Sequence, residues 1–486
     1  MKNLFNKAWN KYRSFPEPMK ASFWYMVCSV LQRGISIITT PIFTRMLTRE
    51  EYGVYSVYTS WYQIIIIFCT LNLFFGVYNN GMTKWPDDRK RFTSSLQGLT
   101  TVITMSLFII YLVFQNFWNR IFQLDSIYMY AMFVEILCVP AYSFWSASQR
   151  YDYKYKALIC VTLFIVIATP ALGILCVINA RNKAMARVLS AVFVQICVGL
   201  CFYTYNMMKG RTFFHKQYWK YALAFNIPLI PHYLSTTILN QADRIMIQQM
   251  VGFGEAAIYS VSYNVATLIT IVTTALTNTF TPYMYKSMKA GNISGIKKYS
   301  TYLLLLVGFV ASMIMVFGPE VVAIFASKEY GEAIWVIPPV ACAIFFKFLY
   351  PLFSNVEFYY ENTKFVMIAS SIGAILNIVL NYIFIPIFGY VAAGYTTLVC
   401  YMAYSFAHYF GHKVIARRNG MTEKAFDLHV ILLLCVAMLA IMIVVTMLYN
   451  HTIIRYNFCL AMLVLAVVFR KKIKGLYLTF KNGLVK

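Results

Sequence analysis

Charged side chains are scarce in this chain, and the sequence signatures of a soluble enzyme are missing. Only 12% of the 486 residues are charged, whereas soluble domains carry about a quarter. No G-x-x-x-x-G-K-[ST] phosphate loop is present, so the chain is not expected to hydrolyse ATP itself. The 11 cysteines are scattered without a C-x-x-C pair, and we interpret them as small buried hydrophobic residues. We therefore expect no metal site and no cofactor.

Long apolar runs make up most of the chain instead. Hydrophobic residues account for 60% of it, and a window of about twenty residues, the length that crosses a bilayer, finds about fourteen candidate helices. They lie near 21–43, 53–77, 95–115, 128–146, 157–178, 187–207, 222–250, 257–282, 299–318, 333–356, 365–386, 391–411, 427–449 and 453–469. The sequence thus predicts an all-α polytopic membrane protein with no signal peptide and no soluble domain.

The basic residues are concentrated in alternate loops. A net charge of +25 results from 42 Lys and Arg against 17 Asp and Glu. The positive-inside bias of membrane proteins explains this excess, so we expect no nucleic-acid partner. One loop departs from the pattern by carrying Arg181, Lys183 and Arg187 on the outer side. The alternation predicts that both termini are cytoplasmic, which requires an even number of spans.

Two stretches about 204 positions apart read like copies of one another. Glu51 leads into Tyr55-Ser56-Val57, and Glu255 leads into Tyr259-Ser260-Val261. The copies enter the second and the eighth predicted span, and an offset of six spans gives both the same orientation. We therefore predict two parallel six-helix halves and two extra helices with a basic tail. Their predicted ranges are 1–210, 211–415 and 416–486.

Four stretches carry a family resemblance. They are Lys20-Ala21-Ser22-Phe23-Trp24, the segment from Pro41 to Gly53, Asn240-Gln241-Ala242-Asp243-Arg244, and Asn377-xxx-Asn381-xxxx-Pro386-xx-Gly389. In these the chain resembles the polysaccharide flippases of the multidrug/oligosaccharidyl-lipid/polysaccharide (MOP) exporter superfamily, relatives of the lipid II flippases and of the MATE drug exporters.

The resemblance implies a transporter rather than an enzyme. It implies movement of an undecaprenyl-diphosphate-linked oligosaccharide across the cytoplasmic (inner) membrane, for surface polysaccharide biosynthesis, as two halves alternately expose a central cavity. The expected partners are this lipid-linked cargo and membrane lipids. Coupling to a proton or sodium gradient and a complex with a polysaccharide polymerase are left open.

Charged groups within apolar spans are costly and are therefore the first candidates for functional residues. The diphosphate of the cargo calls for cations, and the substrate-binding candidates are Arg33, Arg45, Arg244 and Lys347. A membrane-buried carboxylate can alternate between ionised and protonated forms, and the ion-coupling candidates are Glu135 and Asp243.

Each candidate also has a structural interpretation. Arg33 and Glu135 would then only form hydrogen bonds to neighbouring helices. Asp243 and Arg244 would form an internal ion pair, and Lys347 would extend to the membrane–water interface. Glu357 is expected at a cytoplasmic interface. The repeated Tyr55, Tyr58, Tyr259 and Tyr263 are expected mainly to pack helices.

Two other functions remain open at this point. One is a MATE-type cation-coupled antiporter of small molecules, although a cavity for cationic drugs should be acidic and the mid-span charges here are mainly positive. The other is a membrane-embedded glycosyltransferase or polymerase, for which the chain lacks the expected large extracytoplasmic loop.

Overall fold

The computed structural model describes residues 16–421 and 425–468, without the side chains of 18, 22, 29, 30, 33, 36, 363, 364 and 465–468. This part of the chain is helical and contains no strand, which confirms the predicted all-α class. The helices are α1 Glu17–Met46, α2 Arg49–Thr70, α3 Gly76–Lys84, α4 Arg89–Val113, α5 Gln115–Phe122, α6 Ser126–Tyr151, α7 Tyr155–Asn179, α8 Lys183–Gly210, α9 Lys216–Asn226, α10 Ile230–Met250, α11 Phe253–Ala266, α12 Ile269–Lys289, α13 Ile293–Val316, α14 Gly318–Phe325, α15 Ile337–Tyr359, α16 Thr363–Phe388, α17 Ala392–Arg418, α18 Leu428–Leu448 and α19 Thr452–Val468. Two 3₁₀ segments, Ile227–Leu229 and Lys328–Val336, precede α10 and α15.

Each of the fourteen predicted spans overlaps one of the long helices. Among the described residues, nine helices are long and apolar enough to cross a membrane, or ten if the bent pair α11–α12 forms one span. The remaining four predicted spans coincide with α1, α2, α17 and α19. The total of fourteen crossings stays a prediction.

The seventh predicted span is interrupted where the prolines lie. Helix α9 ends at Asn226, the turn Ile227–Leu229 is 3₁₀, and α10 then continues to Met250. Pro228 and Pro231 lack the backbone N–H that an α-helix needs, so the regular bonding is broken there.

Two other predicted spans are not continuous helices, which corrects the hydropathy reading. Helix α2 ends at Thr70 because Leu71 and Asn72 adopt left-handed backbone, with φ of 48° and 50°. The eighth span is bent by 45° between α11 and α12. At that bend Thr267 donates to the Asn264 carbonyl at 2.9 Å, and such side-chain bonds to backbone often bend helices.

The chain divides into two compact units, Met1–Leu234 and Ser235–Lys486. In the first unit α8 packs against α4, α6 and α7, and α1 packs against α7. Helices α6 and α8 approach closely at Gly199, where an added Cβ would lie only 2.6 Å from the Cys138 carbonyl carbon. A side chain of any size at position 199 would therefore push these two helices apart.

In the second unit α15 and α17 form the central pair, with α13, α16 and α18 packed around them. The last two helices are attached to this unit near their connection. Arg455 of α19 pairs with Glu320 of α14, and the Tyr449 hydroxyl donates to the Met315 carbonyl at 2.7 Å. The basic tail after residue 468 lies outside the described residues.

Candidate transport site

Asp243 is a buried carboxylate on which four helices converge. It lies in α10 and is 1% exposed. Its Oδ2 accepts hydrogen bonds from the Tyr259 hydroxyl of α11 at 2.5 Å and the Thr397 hydroxyl of α17 at 2.8 Å. Its Oδ1 accepts from Nδ2 of Asn381 at 2.7 Å and of Asn377 at 3.2 Å, both on α16. Both carboxylate oxygens therefore accept two hydrogen bonds each.

The two asparagines leave one acceptor of this cluster unused. They are spaced i, i+4, so both side chains lie on one face of α16. The Oδ1 atom of Asn381 accepts a hydrogen bond from the Thr396 hydroxyl, whereas Oδ1 of Asn377 is buried and has no hydrogen-bond partner. Asn oxygen and nitrogen are assigned from the bonding network, and rotation of an amide exchanges them. Among the described residues, the cluster therefore contains one buried amide oxygen that accepts no hydrogen bond.

Two cationic residues meet at Asn240, one helical turn before Asp243. Arg244 donates through Nη1 to the Asn240 carbonyl at 2.9 Å and through Nε to the Ser260 hydroxyl at 3.1 Å. Its guanidinium also lies 4.5 Å from the ring centre of Tyr263. Lys347 of α15 donates to Oδ1 of Asn240 at 2.6 Å. Both cations are thus held by neutral oxygens.

The expected ion pair between Asp243 and Arg244 is not formed. The carboxylate is bonded to Tyr259, Thr397 and the two asparagines, and within the described part of the chain Arg244 forms no ion pair with a carboxylate. Adjacent residues on a helix point in different directions, so the two side chains enter different surroundings.

The candidates of the first unit are placed differently. Glu135 of α6 is buried and accepts one hydrogen bond, from the Tyr58 hydroxyl at 2.9 Å. Arg45 is exposed and donates to the Pro41 carbonyl of its own helix at 2.9 Å. Arg33 lies in α1, and its side chain is outside the described part of the structure. The structure therefore brings together Asp243, Arg244 and Lys347, all in the second unit.

Sequence reasoning placed one carboxylate wrongly. Glu357 was expected at a cytoplasmic interface, but it is fully buried. Its Oε2 lies 2.7 Å from Nδ1 of His408, which is also fully buried. An apolar run shows where a span ends, but it does not show that a residue near its end faces another helix.

Comparison with known proteins connects these features to a family. Residues 19–288, more than half of the chain, match the family described as "Polysaccharide biosynthesis protein". The chain belongs to this polysaccharide biosynthesis family. Residues 228–383 also match the MatE family. A curated relative from Haemophilus influenzae, "Lsg locus putative protein 1", is 22% identical over 184 residues. That match spans 36% of this chain and 46% of the relative, less than half of the relative's length.

Solved structures give the fold of this family member. The lipid II flippase MurJ in an inward closed conformation has a TM-score of 0.66 at 12% identity, covering 94% of this chain and all of that one. An inward-facing multidrug resistance MATE transporter of the MOP superfamily has a TM-score of 0.58, also at 12% identity, covering 82% of this chain and 96% of that one. The similarity to MOP exporters expected from the sequence is confirmed. The chain has the fold of these membrane transporters.

Proposed function

We propose that the protein is a flippase for undecaprenyl-diphosphate-linked oligosaccharides, moving them from the cytoplasmic to the outer leaflet of the inner membrane by alternating access. Both termini would lie in the cytoplasm, and a polysaccharide polymerase would receive the product. The observation that carries the proposal is the convergence of Arg244 and Lys347 on Asn240, where neutral oxygens hold both cations. A diphosphate could accept charge-assisted hydrogen bonds from both of these side chains.

The chemistry of the cargo fits these side chains. Charge-assisted hydrogen bonds to phosphate are among the stronger polar interactions, and the planar guanidinium can bind two phosphate oxygens at once. The Nε and Nη1 atoms of Arg244 are bonded to Ser260 and Asn240, which fixes the guanidinium in place before cargo arrives. Preorganised donors lose less conformational entropy when they bind.

A second feature supports a cargo with a hydrocarbon tail. An apolar groove of about 710 Å³ runs along α16 and α17, with Phe384, Phe388, Tyr395 and Val399 among its lining residues. Thr396 also lines this groove and donates to Asn381 of the Asp243 cluster. We place the isoprenoid chain here. Val399→Trp should fill the groove and reduce transport of a long-tailed cargo more than of a short-tailed analogue. Equal loss for both cargoes would contradict this placement.

Asp243 is proposed as the group that couples transport to an ion gradient. It is a buried carboxylate beside an amide oxygen without a partner, Oδ1 of Asn377. Carboxylate, amide and hydroxyl oxygens are the ligands that hard cations prefer, and a carboxylate can also take up a proton. Glu135, with its single Tyr58 partner, is the second candidate.

A MATE-type antiporter is the alternative function, supported by the match of residues 228–383 to the MatE family. The two functions predict different cargoes for the same residues. An exporter of cationic compounds would gain from removing Arg244, because like charges repel. A flippase would lose activity, because the diphosphate loses a counter-charge.

The deciding experiment is a flipping assay with the purified full-length chain in proteoliposomes. It follows a lipid-linked oligosaccharide and, in parallel, a cationic dye. Arg244→Lys and Lys347→Met should reduce flipping on the order of tenfold, while Arg181→Gln, which removes an exposed cation, should not. Dye export that increases in Arg244→Ala, with no flipping by the wild type, would establish the antiporter instead.

Co-purification from native membranes tests the proposed polymerase partner. Failure to recover a polymerase would remove that partner.

A further inference from the structure

Arg187 in the first unit is a buried cation with unused hydrogen-bond donors. It is 6% exposed, and its Nη2 donates to the Tyr55 hydroxyl at 3.0 Å. Its guanidinium lies between two rings, 4.0 Å from the centre of Phe43 and 4.2 Å from that of Tyr55. The Nε and Nη1 atoms are buried, and no described residue forms a hydrogen bond with them. Arginine stays protonated in proteins, so the buried guanidinium carries a positive charge that is removed from water.

The described part of the chain supplies Arg187 with no anionic partner, since none of its ion pairs includes this residue. Ring faces attract a cation, but they are only weak acceptors for the three N–H bonds of Nε and Nη1. A buried charge without a counter-ion is costly, and proteins normally pair it or neutralise it. Because arginine does not lose its proton, an external anion is the remaining way to neutralise it.

The internal repeat relates the tyrosine beside Arg187 to the tyrosine beside Asp243. Tyr55 is the seventh residue of α2, counted from Arg49, and Tyr259 is the seventh of α11, counted from Phe253. Tyr259 donates to the Asp243 carboxylate, whereas Tyr55 accepts from the Arg187 guanidinium. The repeated tyrosine thus contacts an anion in one unit and a cation in the other.

The immediate surroundings of Arg187 restrict the size of a ligand. Helix α7 presents Gly173 to the guanidinium, and a Cβ added there would lie 3.3 Å from Nη1 and 3.0 Å from Cζ of Phe43. Lys183, one turn earlier on the same face of α8, is a second cation and donates to the Met46 carbonyl at 3.1 Å. A single added carbon would already approach these two neighbours to 3.0 and 3.3 Å, so a bulky headgroup does not fit here. With two cations nearby, the position suits one small anion.

We propose that Arg187 binds a small inorganic anion of the size of chloride, on the side of the protein that the loop charges predict to be extracytoplasmic. The ion accepts from the free Nη1, beside Gly173, and is attracted by Lys183. It completes a junction of α1, α2, α7 and α8, which supply Phe43, Tyr55, Gly173 and Arg187. This site goes beyond the proposed function, because it requires no cargo.

The test measures thermal unfolding of the purified, delipidated full-length chain in sodium chloride and in sodium gluconate at equal ionic strength. Gluconate is a much larger anion than chloride and serves as the comparison ion. Chloride, and likewise bromide, should raise the midpoint saturably by about 2–4 °C relative to gluconate. Equal midpoints in chloride and gluconate would overturn the proposal. A shift produced by phosphate or by anionic lipid, but not by chloride, would overturn the assignment to a small ion.

Three variants test whether the chloride-dependent rise in the unfolding midpoint comes from binding at Arg187. Arg187→Gln should abolish the response to chloride. Gly173→Ala, which retains the charge but narrows the space beside Nη1, should raise the half-saturating chloride concentration at least about tenfold. Arg181→Gln removes an exposed charge from the preceding loop and should respond like the wild type. If Arg187→Gln does not fold, Gly173→Ala decides the question alone: an unchanged response in that variant refutes the site.

Discussion

The Tyr259 hydroxyl lies 2.5 Å from Oδ2 of Asp243 and links α11 to a carboxylate on α10. Both side chains are almost completely buried. The bond therefore forms away from water, where an unpaired carboxylate oxygen is most costly.

Loss of that hydroxyl should destabilise the second unit. In Tyr259→Phe the carboxylate keeps three donors but loses one charge-assisted hydrogen bond, and we expect the free energy of unfolding to fall by about 1.5–3 kcal/mol. Chemical unfolding in detergent measures this change. Tyr382→Phe is the matched control, because Tyr382 is 69% exposed in the same unit. Similar losses in both variants would show that the bond to Asp243 contributes little.

Removal of the charge at position 243 should uncouple transport from its ion gradient. Asp243→Asn places an amide among four donors, so it can neither exchange a proton nor offer a full negative charge to a cation. We expect flipping in proteoliposomes to become independent of imposed proton and sodium gradients. Glu135→Gln is measured in parallel. If Glu135→Gln alone removes the gradient dependence, coupling belongs to the first unit.

A methyl group at position 199 should separate two helices of the first unit. The Cβ of Gly199→Ala would lie 2.6 Å from the Cys138 carbonyl carbon, closer than real contacts allow. Since backbone atoms must shift, we expect a loss of about 1–3 kcal/mol in the free energy of unfolding. Gly34→Ala is the control, as nothing lies within 4 Å of its added Cβ. There the better helix propensity of alanine should give a small gain or no change.

The buried pair Glu357–His408 should depend on both partners being present. With one partner replaced, in Glu357→Leu or His408→Leu, the other polar group is left buried, and the expected cost is about 3–5 kcal/mol. Replacing both residues should lower the free energy of unfolding by much less than the sum of the two single losses. A double-mutant cycle of unfolding free energies measures this coupling. Simple additivity would mean that the 2.7 Å contact between the two side chains contributes little to stability.

Asp427, which caps the amino end of α18, should give acid sensitivity to that helix end. It binds Lys297 at 3.0 Å and accepts from the Val430 backbone, and the bond to Lys297 holds the pKa of Asp427 below its usual range. A pKa that is lower in the folded state stabilises the fold at pH values above the unfolded-state pKa, about 3.9. This contribution is lost as pH falls through the folded-state pKa. Hydrogen exchange at the start of α18 should therefore accelerate in that range.

The matched variant for this prediction is Asp427→Asn. It retains a side-chain oxygen for the cap but no titrating group. The hydrogen-exchange rate of this variant, after correction for the intrinsic pH dependence, should not change with pH in the range where the wild-type rate does. An identical profile for both proteins would assign the acid sensitivity to another group.

The helices could be located from the sequence because a membrane span has a fixed length and must satisfy its own backbone hydrogen bonds. Interruptions were harder to predict. The interruption at Pro228 and Pro231 could be predicted from these two prolines. The end of α2 instead depends on left-handed backbone at Leu71 and Asn72, and leucine does not favour that conformation.

The candidate site was only partly predictable, for a different reason. The Asn377-xxx-Asn381 and Asp243 motifs were visible separately, but Asn377 lies 134 residues after Asp243 and Thr397 lies 154 residues after it. Hydropathy does not indicate which spans meet. Arg187 was visible only as a departure from the loop charges, because its partner Tyr55 precedes it by 132 residues.

The tyrosines at the seventh position of α2 and of α11 lie beside charges of opposite sign. A phenol hydroxyl both donates and accepts, and Tyr259 donates to a carboxylate while Tyr55 accepts from a guanidinium. The same residue type therefore fits either sign of charge. The similarity of the two Tyr-Ser-Val stretches consequently does not imply that the two units attract the same kind of ion.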